Sequence, residues 1–153
     1  MAEFLKASDA INGKEGKAYA KINGNNELLF MAKTIEATVE KAKGDIKTIG
    51  RRMVGHKAAG MSGSGTMTIY YISPLFRSMM KSYKETGVDV YFDIIIENDD
   101  PASTAGKQSV LLIDCNLDSV LLAKLDGDSD DALDEEVAFT FDDFDFLSEF
   151  NKI

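Results

Sequence analysis

The chain has one histidine, His56, and one cysteine, Cys115, which sets a low ceiling on side-chain chemistry. A Ser/His/Asp triad would rest wholly on His56, and a multi-histidine metal site is impossible. His56 stands between Arg52 and Lys57 in a glycine-rich stretch without an apparent apolar pocket, which suits a protein or phosphate contact or simple exposure. Cys115 closes the apolar run Ser109-Val110-Leu111-Leu112-Ile113-Asp114-Cys115 and reads as a small buried hydrophobe rather than a nucleophile.

Two other stretches invite chemical readings and fail their spacing tests. Asp126-Gly127-Asp128-Ser129-Asp130-Asp131 places carboxylates at alternate positions, as a calcium loop does. An EF-hand needs glycine at loop position six and glutamate at position twelve, where this chain has Asp131 and Val137. An acidic turn or interface surface fits better. Gly60-Met61-Ser62-Gly63-Ser64-Gly65-Thr66 resembles a phosphate loop only superficially, because no lysine precedes its Ser or Thr and a strand pattern follows instead of a helix. The residues therefore point to no enzyme, no cofactor and no metal.

Elements that would position these residues follow from size and pattern. At 153 residues the chain fits one domain with a sizeable core, and a lone cysteine implies folding without an internal disulfide. Met1–Leu5 lacks the basic start and apolar core of a signal peptide, and no apolar run reaches the length of a spanning helix. We expect a soluble protein without a membrane anchor. A net charge of -9 argues against general nucleic-acid binding. The charge is also segregated: residues 1–60 carry eleven Lys or Arg against seven acids, and residues 126–153 carry one Lys against eleven acids. The acidic section is rich in Phe and so reads as ordered strand with an acidic outer side rather than a solvated tail.

Along the chain, residues 1–12 carry little pattern and are expected to stay loose until a partner fixes them. Gly16–Ile22 and Glu27–Ala32 flank Asn23-Gly24-Asn25-Asn26 as a hairpin. Thr34–Lys41 alternates, with Ile35, Ala37 and Val39 on one face. Residues 44–62 form the expected glycine-rich basic assembly loop, costly to order in a monomer. Thr66–Ile72 is a strand. Ser73, Pro74 and Gly87 then bound a helix whose apolar face carries Leu75, Phe76, Met79, Met80 and Tyr83, with Arg77, Lys81 and Lys84 on the other side. Strands are further expected over Val88–Glu97, through Cys115, over Ser119–Leu125 and over Glu136–Asp142. About seven strands and one helix without repeated strand-helix units predict a mainly β fold: an antiparallel β-sandwich or partly closed barrel with one flanking α-helix and an extended Gly-rich loop. A basic loop and a separate acidic segment on one chain suit head-to-tail self-assembly.

Thr34-Ile-Glu-Ala-Thr-Val-Glu-Lys41, Ile49-Gly-Arg-Arg-Met-Val-Gly-His-Lys57 and Gly65-Thr-Met-Thr-Ile-Tyr70 together resemble the tail tube proteins of contractile-tailed phages, especially those of defective prophages and phage-tail-like bacteriocins. Gly13-Lys14-Glu15-Gly16, the helix at 74–85 and the acidic strand from Glu135 to Asp145 match the same pattern, so the resemblance spans about residues 12–147. It implies one tail-tube-like domain over 1–153 and hexameric rings stacked into a hollow tube. The implied partners are a contractile sheath, a baseplate and a tail terminator. Further implications are envelope penetration, passage of DNA through the lumen of a complete phage without specific binding, and residence in a virion tail or phage-tail-like particle after synthesis in the bacterial cytoplasm. The expected assembly contacts are Arg51, Arg52, His56 and Lys57, with Asp126, Asp128, Asp130, Asp131, Glu135 and Glu136 as opposing charges. A tube subunit of a related secretion apparatus and a monomeric small-ligand-binding β-barrel are the alternatives.

Overall fold

Alternating β-branched and aromatic residues fit a pleated surface with one buried face, and these stretches become the strands. The computed structural model describes residues 5–22, 24–29 and 32–151. They form β1 (Gly16–Ile22), β2 (Asn25–Leu28), β3 (Ala32–Ile46), β4 (Gly55–Tyr70), α1 (Leu75–Thr86), β5 (Phe92–Asp99), β6 (Lys107–Ser119), β7 (Asp134–Phe141) and β8 (Asp143–Ser148). All pairings are antiparallel, in the order β2-β1-β5-β6-β7-β4-β3, with β8 also on β6. The sheet is open rather than closed into a barrel.

Two halves of this sheet face each other because β6 serves both. Its first part pairs β5 and β8, and its last residues pair β7. The change of direction falls at Asp114, whose φ of 54° is the only positive value at a non-glycine among the described residues. The Asp114 N–H donates to Asp93 Oδ1 at 3.1 Å, which ties the bend to β5. Between the halves lie Ala20 and Ile94 from one side and Met67, Ile69, Val137 and Phe139 from the other, all fully buried. Burying a side chain of the Leu or Phe class stabilises by about 1.5–3 kcal/mol, so this layer holds the two halves together.

Helix α1 packs against the same core through Phe76, whose ring is tilted against Phe92 at 6.1 Å between centroids. Gly87 ends the helix in the left-handed conformation at φ 73°, and its N–H donates to Tyr83 O at 2.8 Å. Pro74 stands one place before the helix instead of at its first position, and the Leu75 N–H donates to Ser73 Oγ at 3.3 Å.

Several expectations need correction. Residues 44–62, expected as a loop, are mostly strand: β3 runs to Ile46, β4 starts at Gly55, and only 47–54 connect them. Glycine frequency misled here because two long strands can satisfy each other's backbone hydrogen bonds along a ribbon. Ser119–Leu125, expected as a strand, leaves the sheet after Ser119, where the pairing of β6 with β7 ends at Ala138. The acidic end continues past a bend at Asp142 into β8, an additional strand. In the first hairpin, Asn25 and Asn26 belong to β2, paired with Ile22 and Lys21, while Asn23, Phe30 and Met31 lie outside the described residues. Residues 5–12 are held by the Thr104 N–H on Ser8 O and the Asn12 N–H on Asp100 Oδ2, both at 2.9 Å. The Thr104 hydroxyl donates to Asp9 and, with the Lys6 N–H, keeps that carboxyl below its ordinary range.

Candidate functional site

The Gly-rich basic stretch forms a projecting arm. Pairing between β4 and β7 ends at Gly63↔Phe141, so among the described residues the eight of β4 from Gly55 to Ser62 pair with β3 alone. At about 3.3 Å per residue the ribbon projects roughly 26 Å beyond the end of the β4–β7 pairing. Its cross-strand rows run from Glu40↔Ser62 to Ile46↔Gly55. Between Glu40 and Ser62 the chain carries six Lys or Arg against two acids, Glu40 at the base of the arm and, toward its tip, Asp45. Asp45 lies directly opposite His56, and His56 Nδ1 is 3.2 Å from Asp45 Oδ1. Ile46, Met53 and Met61 are exposed, and Ile49 is fully so. Such a ribbon, basic and apolar on both faces, offers a neighbouring molecule a backbone edge, charge and hydrophobic contact together.

Arg51, Arg52, His56 and Lys57 are gathered on this arm: the two arginines in the connection, His56 and Lys57 at the start of β4. Asp126, Asp128, Asp130 and Asp131 lie in the 120–133 connection, where the Asp128 N–H donates to Asp126 Oδ1 and the Asp131 N–H to Ser129 Oγ. That connection adjoins the other end of β4, where Tyr70 pairs with Asp134. From Gly55 to Tyr70 is sixteen residues, on the order of 50 Å of strand. The two charge groups are thus kept apart within one chain and presented at opposite ends.

Glu135 does not belong with the surface acids. It is 3% exposed, shares the inward phase of Val137, Phe139 and Phe141, and forms an ion pair with Arg77 of α1. Arg77 also donates through Nη2 to Ser73 O at 2.6 Å, and its guanidinium sits 4.5 Å from the centre of the Tyr71 ring. The helix pattern placed Arg77 outward; the buried carboxylate draws it onto the sheet instead. Period two from Val137 was the available signal, since it puts Glu135 on the core face. Glu136 points outward opposite Thr68.

The outer face of β3, β4 and β7 is the second feature. Thr34, Glu36, Thr38 and Glu40 align with Ser62, Ser64, Thr66 and Thr68, and these with Glu136, Ala138 and Thr140. Over those rows the outward positions hold hydroxyls, carboxylates and one methyl, with no lysine or arginine. Asp118 joins Glu36, Thr38, Ser64 and Thr66 around a shallow depression there. Such a wall attracts neither apolar surfaces nor polyanions.

Cys115 is buried, and burial, reinforced by the Asp93 carboxylate, pushes its thiol up to about 12. The thiol is thereby kept protonated and unreactive at neutral pH. Among the described residues no group of three His, Cys, Asp or Glu could hold a metal ion, and no helix is long and apolar enough to cross a membrane.

Comparison with known proteins converges on one family. Residues 3–148 match the family model described as phage tail tube protein, DUF2001. The chain is 45% identical over 141 residues to the phage-like element PBSX protein XkdM of Bacillus subtilis (strain 168), covering 92% of each. Its fold is similar to a chain in the six-fold symmetrised baseplate of the anti-feeding prophage, at 12% identity and a TM-score of 0.65, covering 96% of this chain and 97% of that one. It is similar again to a chain in the extended sheath/tube terminator of the PVC extracellular contractile injection system, at 13% identity and a TM-score of 0.69, covering 94% of this chain and all of that one.

Proposed function

The chain belongs to the phage tail tube protein family, and from that premise we propose that its copies close edge to edge into hexameric rings that stack as a hollow tube within a contractile sheath. It is a structural subunit, not an enzyme; its function lies in the assembly that many copies make.

The observation that carries the reading is the pair of free edges on the wall β3-β4-β7-β6. Neighbours alternate in direction, so β3 at one edge runs opposite to β6 at the other. A rotational copy therefore brings its β3 antiparallel to the 116–119 part of β6, and every junction around a ring repeats the pairing used inside each subunit. Closure removes both edges, which otherwise invite uncontrolled pairing. The hydroxyl and carboxylate face of the wall then lines the bore, and DNA in a complete phage passes it without specific binding.

The arm extends the contact beyond the ring. Arg51, Arg52, His56 and Lys57 meet acids of another copy drawn from Asp126, Asp128, Asp130, Asp131 and Glu136, a pairing supported by their presentation at opposite ends of the strands. Glu135 is withdrawn from this set because Arg77 neutralises it internally. Residues 1–153 act as one domain in this scheme. Sheath, baseplate and terminator are the partners at the tube's outer surface and ends, the last two in keeping with the assemblies that hold its structural neighbours. The subunit resides in a phage tail or phage-tail-like particle after synthesis in the bacterial cytoplasm.

Size-exclusion chromatography and negative-stain microscopy over a concentration series test the reading. Rings or hollow tubes of uniform width are expected; a persistent monomer at every concentration would overturn it.

A further inference from the structure

Facing the free edge of β3 is a cleft of about 710 Å³ between β3 and the β1–β2 hairpin. Its apolar lining includes Leu28, Leu29 and Ile35, and Lys14, Lys17 and Lys33 stand around it. Among the described residues Glu97 is the only acid in the lining, and Lys107 engages it at 3.6 Å. Lys33 reaches its own Asp134 at 3.4 Å, while Lys14 and Lys17 have no ion pair among the described residues. The cleft is thus an apolar slot with a surplus of positive charge.

A segment of matching character lies on the opposite side of the same wall. After Ser119 the chain leaves the sheet with Leu122 73% and Leu125 98% exposed, between Asp118 and Asp126. Two such leucines on a polar surface lose the stabilisation that burial would give them. The Tyr71 hydroxyl donates to Leu122 O at 3.2 Å, which anchors the backbone of the segment without covering its side chains. Lys124, the one cation of the segment, is turned onto its own Asp134 at 3.7 Å.

Registers bring slot and segment to one level. The row Glu36–Thr66–Ala138–Ser119 crosses all four wall strands, and beyond Ser119 the chain heads toward the end of the wall where β3 begins. The cleft is lined by Ala32–Ile35 at that same end. A rotational copy joined along β3 therefore carries its 120–126 segment toward the mouth of the cleft. We infer that the cleft is the receptor for residues Val120–Asp126 of the adjacent copy, with Leu122 and Leu125 entering against Leu28, Leu29 and Ile35 and with Asp126 facing Lys14 and Lys17. This inference rests on the ring reading above. It leaves Asp128, Asp130 and Asp131 for the arm and explains why a sequence patterned as strand over 119–125 is unpaired beyond Ser119 in one subunit.

Cysteine pairing distinguishes the two. Leu28→Cys chains mixed with Leu122→Cys chains and oxidised gently should yield a disulfide-linked dimer on denaturing gels from the assembled fraction. Glu36→Cys mixed with Ser119→Cys reports the edge junction itself. If the edge pair links in rings and the cleft pair does not, the cleft inference is overturned and the ring reading stands; if neither links and no rings form, both fall. As a second measurement, Leu122→Asp with Leu125→Asp should raise the concentration needed for assembly tenfold or more while the thermal melt of the monomer is unchanged. Assembly at the wild-type concentration would overturn the inference.

Discussion

The ring of Phe139 on β7 lies directly over Gly65, the residue paired with it on β4. A methyl group at position 65 would come within 2.5 Å of Phe139 Cζ and 2.7 Å of Glu36 O. Phe141 covers Gly63 in the same way, so these glycines are seats for aromatic rings rather than points of flexibility. Gly65→Ala should cost about 1–3 kcal/mol through overpacking, seen as a lower urea midpoint at unchanged m-value. Gly44→Ala on the arm, where the nearest atom is Lys57 O at 4.0 Å, should leave the midpoint within experimental error and serves as the control.

Arg77→Met should destabilise by about 3 kcal/mol, because it strands Glu135 as an uncompensated charge with 3% exposure. Combining it with Glu135→Leu should recover most of the loss. Thermal unfolding of the two single variants and the double variant measures the coupling; additive losses would show that the pair does not act as a unit.

Cys115 should resist a thiol reagent in the folded protein at pH 8 and react at once in denaturant. Its proton also shapes the alkaline limit of stability. The unfolded chain releases that proton near the ordinary thiol value of 9.0, and the folded chain retains it until about 12. Below 9.0 the contribution is fully present; between 9.0 and 12 the unfolded state binds fewer protons, so stability falls as pH rises. Denaturation of wild type and Cys115→Ala at pH 8, 9, 10 and 11 should show the steeper decline in wild type.

Arg51→Glu with Arg52→Glu should impair stacking of rings into tubes while leaving the subunit's melting temperature unchanged, since both residues lie in the exposed 47–54 connection. The wild type should stack less well as salt rises, because these contacts are screened within a Debye length of about 8–10 Å. Tube lengths by negative stain across a salt series provide the measurement. Unchanged stacking at every salt concentration would remove the arm arginines from the contact.

Local patterning exposed much of this in the sequence. Strict alternation at Thr34–Lys41 and Glu136–Phe141 revealed two wall strands and their faces, and Pro74 with Gly87 bracketed the helix to within a residue. What stayed hidden depended on partners distant along the chain. Gly63 and Gly65 carried no strand signal of their own because the aromatic rings that fill their places come from residues 141 and 139. Arg77 read as solvent-facing because the carboxylate that draws it inward lies 58 positions later. The charge groups of the proposed assembly contacts were legible in composition, but their separation to opposite ends required the register of β4 against β3 and β7.

In the proposed ring, the even number of strands in the wall sets a rule for how such subunits can diverge. A single inserted strand would leave both edges of the wall running the same way, so copies would meet parallel at every junction and the shared bonding pattern would be lost. Drift in wall width must proceed by whole hairpins, whereas lengthening at a hairpin tip preserves the junctions. Length variation among relatives should therefore concentrate at the 47–54 and 120–133 connections, leaving the count of wall strands unchanged.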